Sequence, residues 1–519
     1  MPSDKSTPQP FSFTPTEKWE GDDGPWSTFS IEVGTPPQGF RVLPATSASE
    51  IWIPYGPDCG GILANVADCG MLRGIDNFNN EPSRGFQPNA SSTWEQIGIY
   101  ALAGGKNLWT NSTTYGLYGY DTLTANQSTS GEPITFPAQA VAGVAAEAVW
   151  LGSLGMGSAV AQFPIESEDS PSLLDAMLEQ NLIPSSSAGY TAGAAYLQSP
   201  GSLIFGGYDQ SRISPSNVTL PVGQGVGQPL SLVIRSIIAD NLPDGTLSLL
   251  PDDQAIFSSI NSMVAGLGLP QGVCDMFAKT FNLTYDPSTS LYLVNDTTHQ
   301  TLLQLNPSIT FTLAESDAST ATTNIVLPYA AFDIQAGIPL FNQSTNYFPI
   351  HVAQNQNQQA LGRTLLQEAY VFVDWGRQNF TIAQAIHHPA APDIIAVSSS
   401  QVQNGKPAYS DGMIAGVTIG SCAFVASVTA LLMFLFFRRR RRQGIQRRTL
   451  IKPIASPPCE MGESEGTFYE MGEAEFKHEL MSTSLAELAG SPTVMELDAN
   501  RREKPPHVEK GIVLIHELP

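Results

Sequence analysis

Along most of the chain, short runs of β-branched, aromatic and aliphatic residues alternate with clusters of Gly, Pro, Asn, Asp and Ser. That spacing predicts strands separated by turns, because branched side chains pack on a pleated surface while Gly and Asp accept turn geometry. The stretch SLVIRSIIADNLPDGTLSLL, Ser231–Leu250, is an example: a strand, an Asp244-Gly245 turn and a second strand. Helical periodicity is scarce. Its clearest instance is PSLLDAMLEQ, Pro171–Gln180, where Leu173, Leu174, Met177 and Leu178 share one face. The class these patterns predict is all-β.

One segment breaks the pattern. Met413–Phe437 is a run of 25 residues without a charge, enough to cross a bilayer with some tilt, and Arg438–Arg442 follow at once. The positive-inside rule then predicts a single-pass membrane protein with residues 1–412 outside and the C-terminus in the cytosol. Gly412, Gly416 and Gly420 are spaced four apart, a pattern that lets two such helices approach and makes a dimer one option. Eight sequons, at Asn89, Asn111, Asn126, Asn217, Asn282, Asn295, Asn342 and Asn379, all precede the apolar run, which agrees with an exterior location and predicts a glycoprotein. The start, MPSDKSTPQP, has neither a basic nor an apolar leader region, so a truncated or processed beginning is expected.

A length of 519 residues suggests more than one folded unit. The boundaries read from composition are a flexible lead at 1–25, a first β lobe at 26–190, a second at 191–390, a Ser/Pro/Ala-rich stalk at 391–412, the span at 413–437 and a disordered cytosolic tail at 438–519. The net charge of −23 is uneven: residues 1–412 hold 12 Lys and Arg against 35 Asp and Glu, and residues 438–519 hold 13 of each. Such an acidic exterior is a poor candidate for nucleic acid. His387-His388 lack further ligand residues nearby and are expected to be solvated, so neither a metal nor another cofactor is expected. The tail repeats Glu460–Glu465 at Glu470–Glu475 around Tyr469, read as sequence drift or a docking motif.

The stretch FSIEVGTPPQGFRVLPATSASEIWIPYGPDCG, Phe29–Gly60, resembles the first signature of pepsin-like aspartic peptidases: a strand ending in GTPPQ, a second strand, the catalytic loop and an apolar-Trp-apolar-Pro segment. LYGYDTLT (Leu117–Thr124), AQAVAGVAAEAVWLGSLGMG (Ala138–Gly157), GSLIFGGYDQSRI (Gly201–Ile213) and YVFVDWGRQNFTIAQA (Tyr370–Ala385) resemble later family segments in the family's order. The likeness is greatest to divergent, membrane-anchored fungal members. It implies a bilobal pepsin-like fold and a cleft with two catalytic aspartates. Where the first should stand, the chain has Ala45-Thr46-Ser47-Ala48. Two registers compete for the second: Asp244-Gly245-Thr246, and the preferred Ile260–Val264, which puts Asn261 at the catalytic position and leaves Asp244 a turn residue. Tyr100 is the candidate flap tyrosine, although Ala101 stands where the family has glycine. Cys59 and Cys69, just after the first signature, are expected to form a disulfide, and Cys274 is either a free thiol or an intermolecular partner.

Pepsin-like catalysis needs two carboxylates close enough to share a proton, one activating water and the other donating to the carbonyl oxygen. Ala45 has no polar atom, and the amide of Asn261 neither takes nor gives that proton. Glu50, five residues beyond Ala45, is a remote substitute. The leading expectation is a cell-surface pseudopeptidase whose cleft binds a peptide, protein or cell-wall ligand without cutting it. The alternatives are an active acid endopeptidase with an unrecognised dyad, possibly using Asp244, and a membrane sensor acting through its tail.

Overall fold

A computed structural model describes residues 7–399 apart from 57–58, 60–62, 64–65, 67, 107–112, 129–132, 147–148, 159–170, 224–227 and 252–253. Asn111, the apolar run 413–437, Gly412, Gly416, Gly420 and the tail 438–519 lie outside the described residues. Among the described residues no helix is long and apolar enough to cross a membrane.

Strands dominate, and three larger sheets carry the architecture. In the first lobe an eight-stranded sheet runs in the order Pro15–Glu20, Trp26–Val33, Gln38–Ala45, Gly152–Gly155, Ile51–Pro54, Pro133–Val144, Thr113–Asn126, Glu95–Lys106. The second lobe has its own eight-stranded sheet, built around Ser231–Leu242, Ile256–Ile260, Ala360–Leu361 and Leu267–Leu269. A six-stranded antiparallel sheet draws on both halves of the chain: Phe11–Ser12, Ser199–Phe205, Ser187–Ala194, Ala369–Asp374, Asn379–Ala385 and Ile213–Pro221.

Alternation in the sequence becomes alternation of burial. On the paired strands Ser308–Ala314 and Thr322–Pro328, Ile309, Phe311 and Leu313 point inward, and Phe311 sits opposite Ile325. A strand places successive side chains on opposite faces, so each such pair removes two large apolar groups from water on one side only. The helix expected over Pro171–Gln180 forms over Leu173–Glu179; Ser172 caps it by accepting from the Asp175 amide, and Leu173, Leu174, Ala176 and Met177 are buried. The most extensive apolar cluster runs from Phe11 to Ile382 across the sheets, with smaller clusters beside it.

Two boundaries differ from expectation. Phe11–Ser12 and Pro15–Glu20, expected as part of a flexible lead, are strands: Phe11 pairs with Phe205, and Phe11 and Phe13 are almost wholly buried. The reason is hydrophobic anchoring, since the Phe13 ring meets Phe205 edge-on at 5.0 Å. The first residues of the expected stalk are also held, because Ile394–Ala396 pairs antiparallel with Gly207–Asp209 and the Asp393 amide donates to the Asp209 carboxylate at 3.0 Å. Backbone pairing to a free sheet edge overrides a composition that reads as a linker.

Candidate functional site

Each lobe builds the same device. In the first, Gln38–Ala45 runs parallel to Gly152–Gly155, residues 46–50 fold over the end of that strand, and Ile51–Pro54 returns antiparallel along its other side. In the second, Ile256–Ile260 runs parallel to Ala360–Leu361, residues 261–266 fold over, and Leu267 returns antiparallel to Leu361. Glycine makes room for both crossings. A Cβ on Gly155 would lie 2.3 Å from the Ser49 carbonyl carbon, and one on Gly362 would lie 2.4 Å from the carbonyl oxygens of Gly266 and Val264.

The two loops meet through a reciprocal set of hydrogen bonds. The Thr46 amide donates to Ser262 Oγ at 2.9 Å, and the Ser262 amide donates to Thr46 Oγ1 at 3.0 Å. Each hydroxyl then donates across the interface, Thr46 Oγ1 to the Ile260 carbonyl at 3.3 Å and Ser262 Oγ to the Pro44 carbonyl at 2.6 Å. Both side chains are fully buried, so all four bonds are shielded from water. This latch carries no residue singled out from the sequence, yet it fixes the position of those that were.

On one side of the latch stands Ala45, with no exposed surface, packed with Ala48, Trp52, Tyr118, Ala142 and Val144. Met263, from the second-lobe loop, packs on this same cluster. On the other side stands Asn261, whose Oδ1 accepts from Ser47 Oγ and from the Met263 amide, both at 3.0 Å. A backbone N–H can only donate, so the amide oxygen is the atom that faces it. Ala45 and Asn261 therefore flank the latch at matching places in the two loops, each immediately before the latch hydroxyl residue.

The other sequence candidates are placed as follows. Asp244 lies exposed in the turn where Leu242 pairs with Gly245, a hairpin position rather than a loop meeting the first lobe. Half-buried Glu50 accepts from Trp52 Nε1 at 3.0 Å and from the Tyr118 hydroxyl at 2.6 Å. Tyr100, on the strand Glu95–Lys106, lies opposite Gly116; its ring meets Tyr118 edge-on at 6.2 Å and packs on the cluster that holds Ala45. Cys59 and Cys69 form a disulfide with their Cα atoms 5.9 Å apart. Cys274 is free and fully buried, which removes the intermolecular option; burial pushes its thiol up to about 12. Of the described sequon residues, Asn89, Asn126, Asn217, Asn282, Asn295 and Asn342 are exposed and Asn379 is half-buried.

Of the histidine pair expected to be solvated, His388 is exposed, whereas His387 is engaged with the protein. His387 Nε2 lies 3.3 Å from both carboxylate oxygens of buried Glu368, and His388 Nε2 lies 2.7 Å from the Leu197 carbonyl. Sequence reasoning also missed Arg363, which is 3% exposed and bonds to the second loop. Its Nη1 donates to the Ser262 carbonyl at 2.8 Å, its Nη2 donates to both carboxylate oxygens of Asp23 at 2.8 and 2.7 Å, and its guanidinium stacks 4.7 Å over the Trp26 ring. A lone cation inside the apolar run ALGRTLLQ is the signal that points to it.

The sequence profile of the family described as eukaryotic aspartyl protease matches residues 28–385, the region that holds both loops and their supporting sheets. The chain belongs to that family. It is similar to the aspartic proteinase yapsin-3 of Saccharomyces cerevisiae, 24% identical over 401 residues that cover 72% of this chain and 69% of the relative. It is also similar to cathepsin E of Mus musculus, 24% identical over 305 residues (58% and 66%), and to gastricsin of Callithrix jacchus, 25% identical over 369 residues (68% and 80%).

Proposed function

We propose that this member of the aspartyl protease family is a cell-surface pseudopeptidase: its cleft binds an extended peptide, a protein segment or a cell-wall component and does not cut it. One observation carries the reading. At the paired places beside the latch stand an apolar methyl group, Ala45, and a neutral amide, Asn261. Activating water for attack and protonating the oxygen of the attacked carbonyl both need titratable acids there, and each such group contributes about 10²–10⁴-fold. The surroundings match the loss, since Ala45 lies among apolar side chains and Met263 occupies the space beside it. Desolvation would push a lone carboxyl at that place toward its neutral form.

The cell-surface part rests on the sequence. An uncharged run of 25 residues followed by five arginines, with every sequon before it, supports a single-pass arrangement with residues 1–412 outside. The exposure of six sequon residues is compatible with glycans there.

The test is direct. Purified protein incubated with denatured protein substrates between about pH 3 and pH 5, the range in which paired carboxylates share a proton, is expected to yield no cleavage sensitive to pepstatin. Robust sensitive cleavage removes the proposal. Protease protection of residues 1–412 in intact vesicles, together with a mobility shift on deglycosylation, checks the orientation.

A further inference from the structure

The latch residues Thr46 and Ser262 are sealed from water, but the residues beside them are not. Ser47, from the first lobe, and Asn261, from the second, are half-buried and bonded to each other at 3.0 Å. Asn261 Oδ1 accepts from Ser47 Oγ and from the Met263 amide, so both of its lone pairs are used. Among the described residues its Nδ2 has no acceptor, and it is not one of the side-chain atoms buried without a partner, so water reaches it. The Ser47 hydroxyl directs its proton at Asn261 and keeps lone pairs for an incoming donor. Two side chains from opposite lobes thus offer one donor and one acceptor side by side, and neither can ionise.

A strand residue offers the same pair of groups. In an extended chain the N–H and C=O of one residue point to the same side, and in an antiparallel ladder that residue exchanges both bonds with the residue opposite. The acetamido group of a sugar differs, because its N–H and C=O lie trans across one planar unit and point apart, so one donor–acceptor pair cannot take both. Half-buried Met263, whose amide bonds to Asn261, adds apolar surface that suits peptide side chains better than sugar hydroxyls.

We infer that Ser47 and Asn261 act together as a strand-mimicking pair that takes one residue of an extended polypeptide: Ser47 Oγ accepts the ligand N–H and Asn261 Nδ2 donates to the ligand C=O. This rests on the reading above, that the cleft holds a chain without cutting it, and names the residues that hold it. No proton changes hands, so the pairing needs no acid on the protein and no charge on the ligand. Both bonds go to the ligand backbone, which leaves the choice of sequence to the side chains around the pair.

The experiment titrates full-length wild type in detergent, near neutral pH, with the hexapeptide acetyl-Val-Val-Ala-Leu-Val-Ala-amide and with a series of analogues, each having one backbone N–H replaced by an ester oxygen. One position in the series is expected to weaken binding about fivefold, the effect of one neutral hydrogen bond. In Ser47→Ala that position is expected to fall within about twofold of its neighbours, because the acceptor is gone. A wild-type series with no sensitive position overturns the pairing, as does a sensitivity that persists in Ser47→Ala. Failure of the parent hexapeptide to bind at about 1 mM overturns it too, and so does tighter binding of an N-acetylglucosamine hexamer. Should Ser47→Ala not fold, the wild-type series still decides. Mass spectrometry of the titrated mixture separates the two readings: a cut parent peptide removes the non-cutting cleft, whereas an intact peptide with a flat series removes only the pairing.

Discussion

The first loop presents Ala45-Thr46-Ser47 to the second loop's Asn261-Ser262-Met263, and the middle residue of each does the same work while its neighbours do not. Thr46 and Ser262 each give a hydroxyl and an amide to the other, so the meeting point is symmetric. One step back along the chain the symmetry ends, with a methyl group on one side and an amide held by Ser47 and the Met263 amide on the other. One step forward it ends again, with a small hydroxyl opposite a long thioether. Geometry and chemistry are thus separable in this fold. The bonds that align the lobes are complete, whereas the residues beside them, Ala45 and Asn261, carry no carboxylate.

Placing a carboxylate on each side of the latch is the largest perturbation of that contrast. Ala45→Asp with Asn261→Asp, together with Ser47→Gly and Met263→Gly to reopen the loops, is expected to raise acid proteolysis by about 10⁴-fold or more over wild type, measured on a denatured protein at about pH 4. Asn261→Asp alone is expected to stay at the wild-type level. Activity in that single variant would mean that another acid already serves the cleft.

Removing the shared element is next. Thr46→Val with Ser262→Ala leaves two carbonyls and two amides buried without partners, which costs about 3–5 kcal/mol in urea unfolding at about 1–3 kcal/mol per orphaned group, less relaxation. A loss below about 1 kcal/mol would show that other contacts align the loops. The lobes also differ in cross-linking, since only the first carries a disulfide. Cys59→Ser with Cys69→Ser opens a loop with a sequence separation of 10 and is expected to cost about 2–3 kcal/mol. The smallest effect is expected from Asp244→Asn. A change at an exposed turn residue alters stability by about 0.5 kcal/mol or less and leaves proteolysis where it was.

Much of this was legible along the chain because strands advertise themselves. The alternation in Ser308–Ala314 and the Asp-Gly turn at 244–245 report local geometry, and local geometry is what residue patterns encode. The loop containing Ala45 could be placed by the segments on either side of it. The latch could not, because Thr46 and Ser262 are 216 residues apart and a hydroxyl has no periodic signature. The lead was misjudged for a related reason: polar residues at 14–20 hide the two phenylalanines that anchor it. Arg363 and Asp23 look like ordinary surface charges until the fold brings them together.

Neither hydroxyl in the Thr46–Ser262 exchange gains or loses a proton anywhere in the acidity range a living cell meets. The lobes thus share a central rivet that acidity cannot loosen. The junction it closes is the same in an acidic as in a neutral medium, and any sensitivity to the surroundings must be supplied by parts that lie around that rivet.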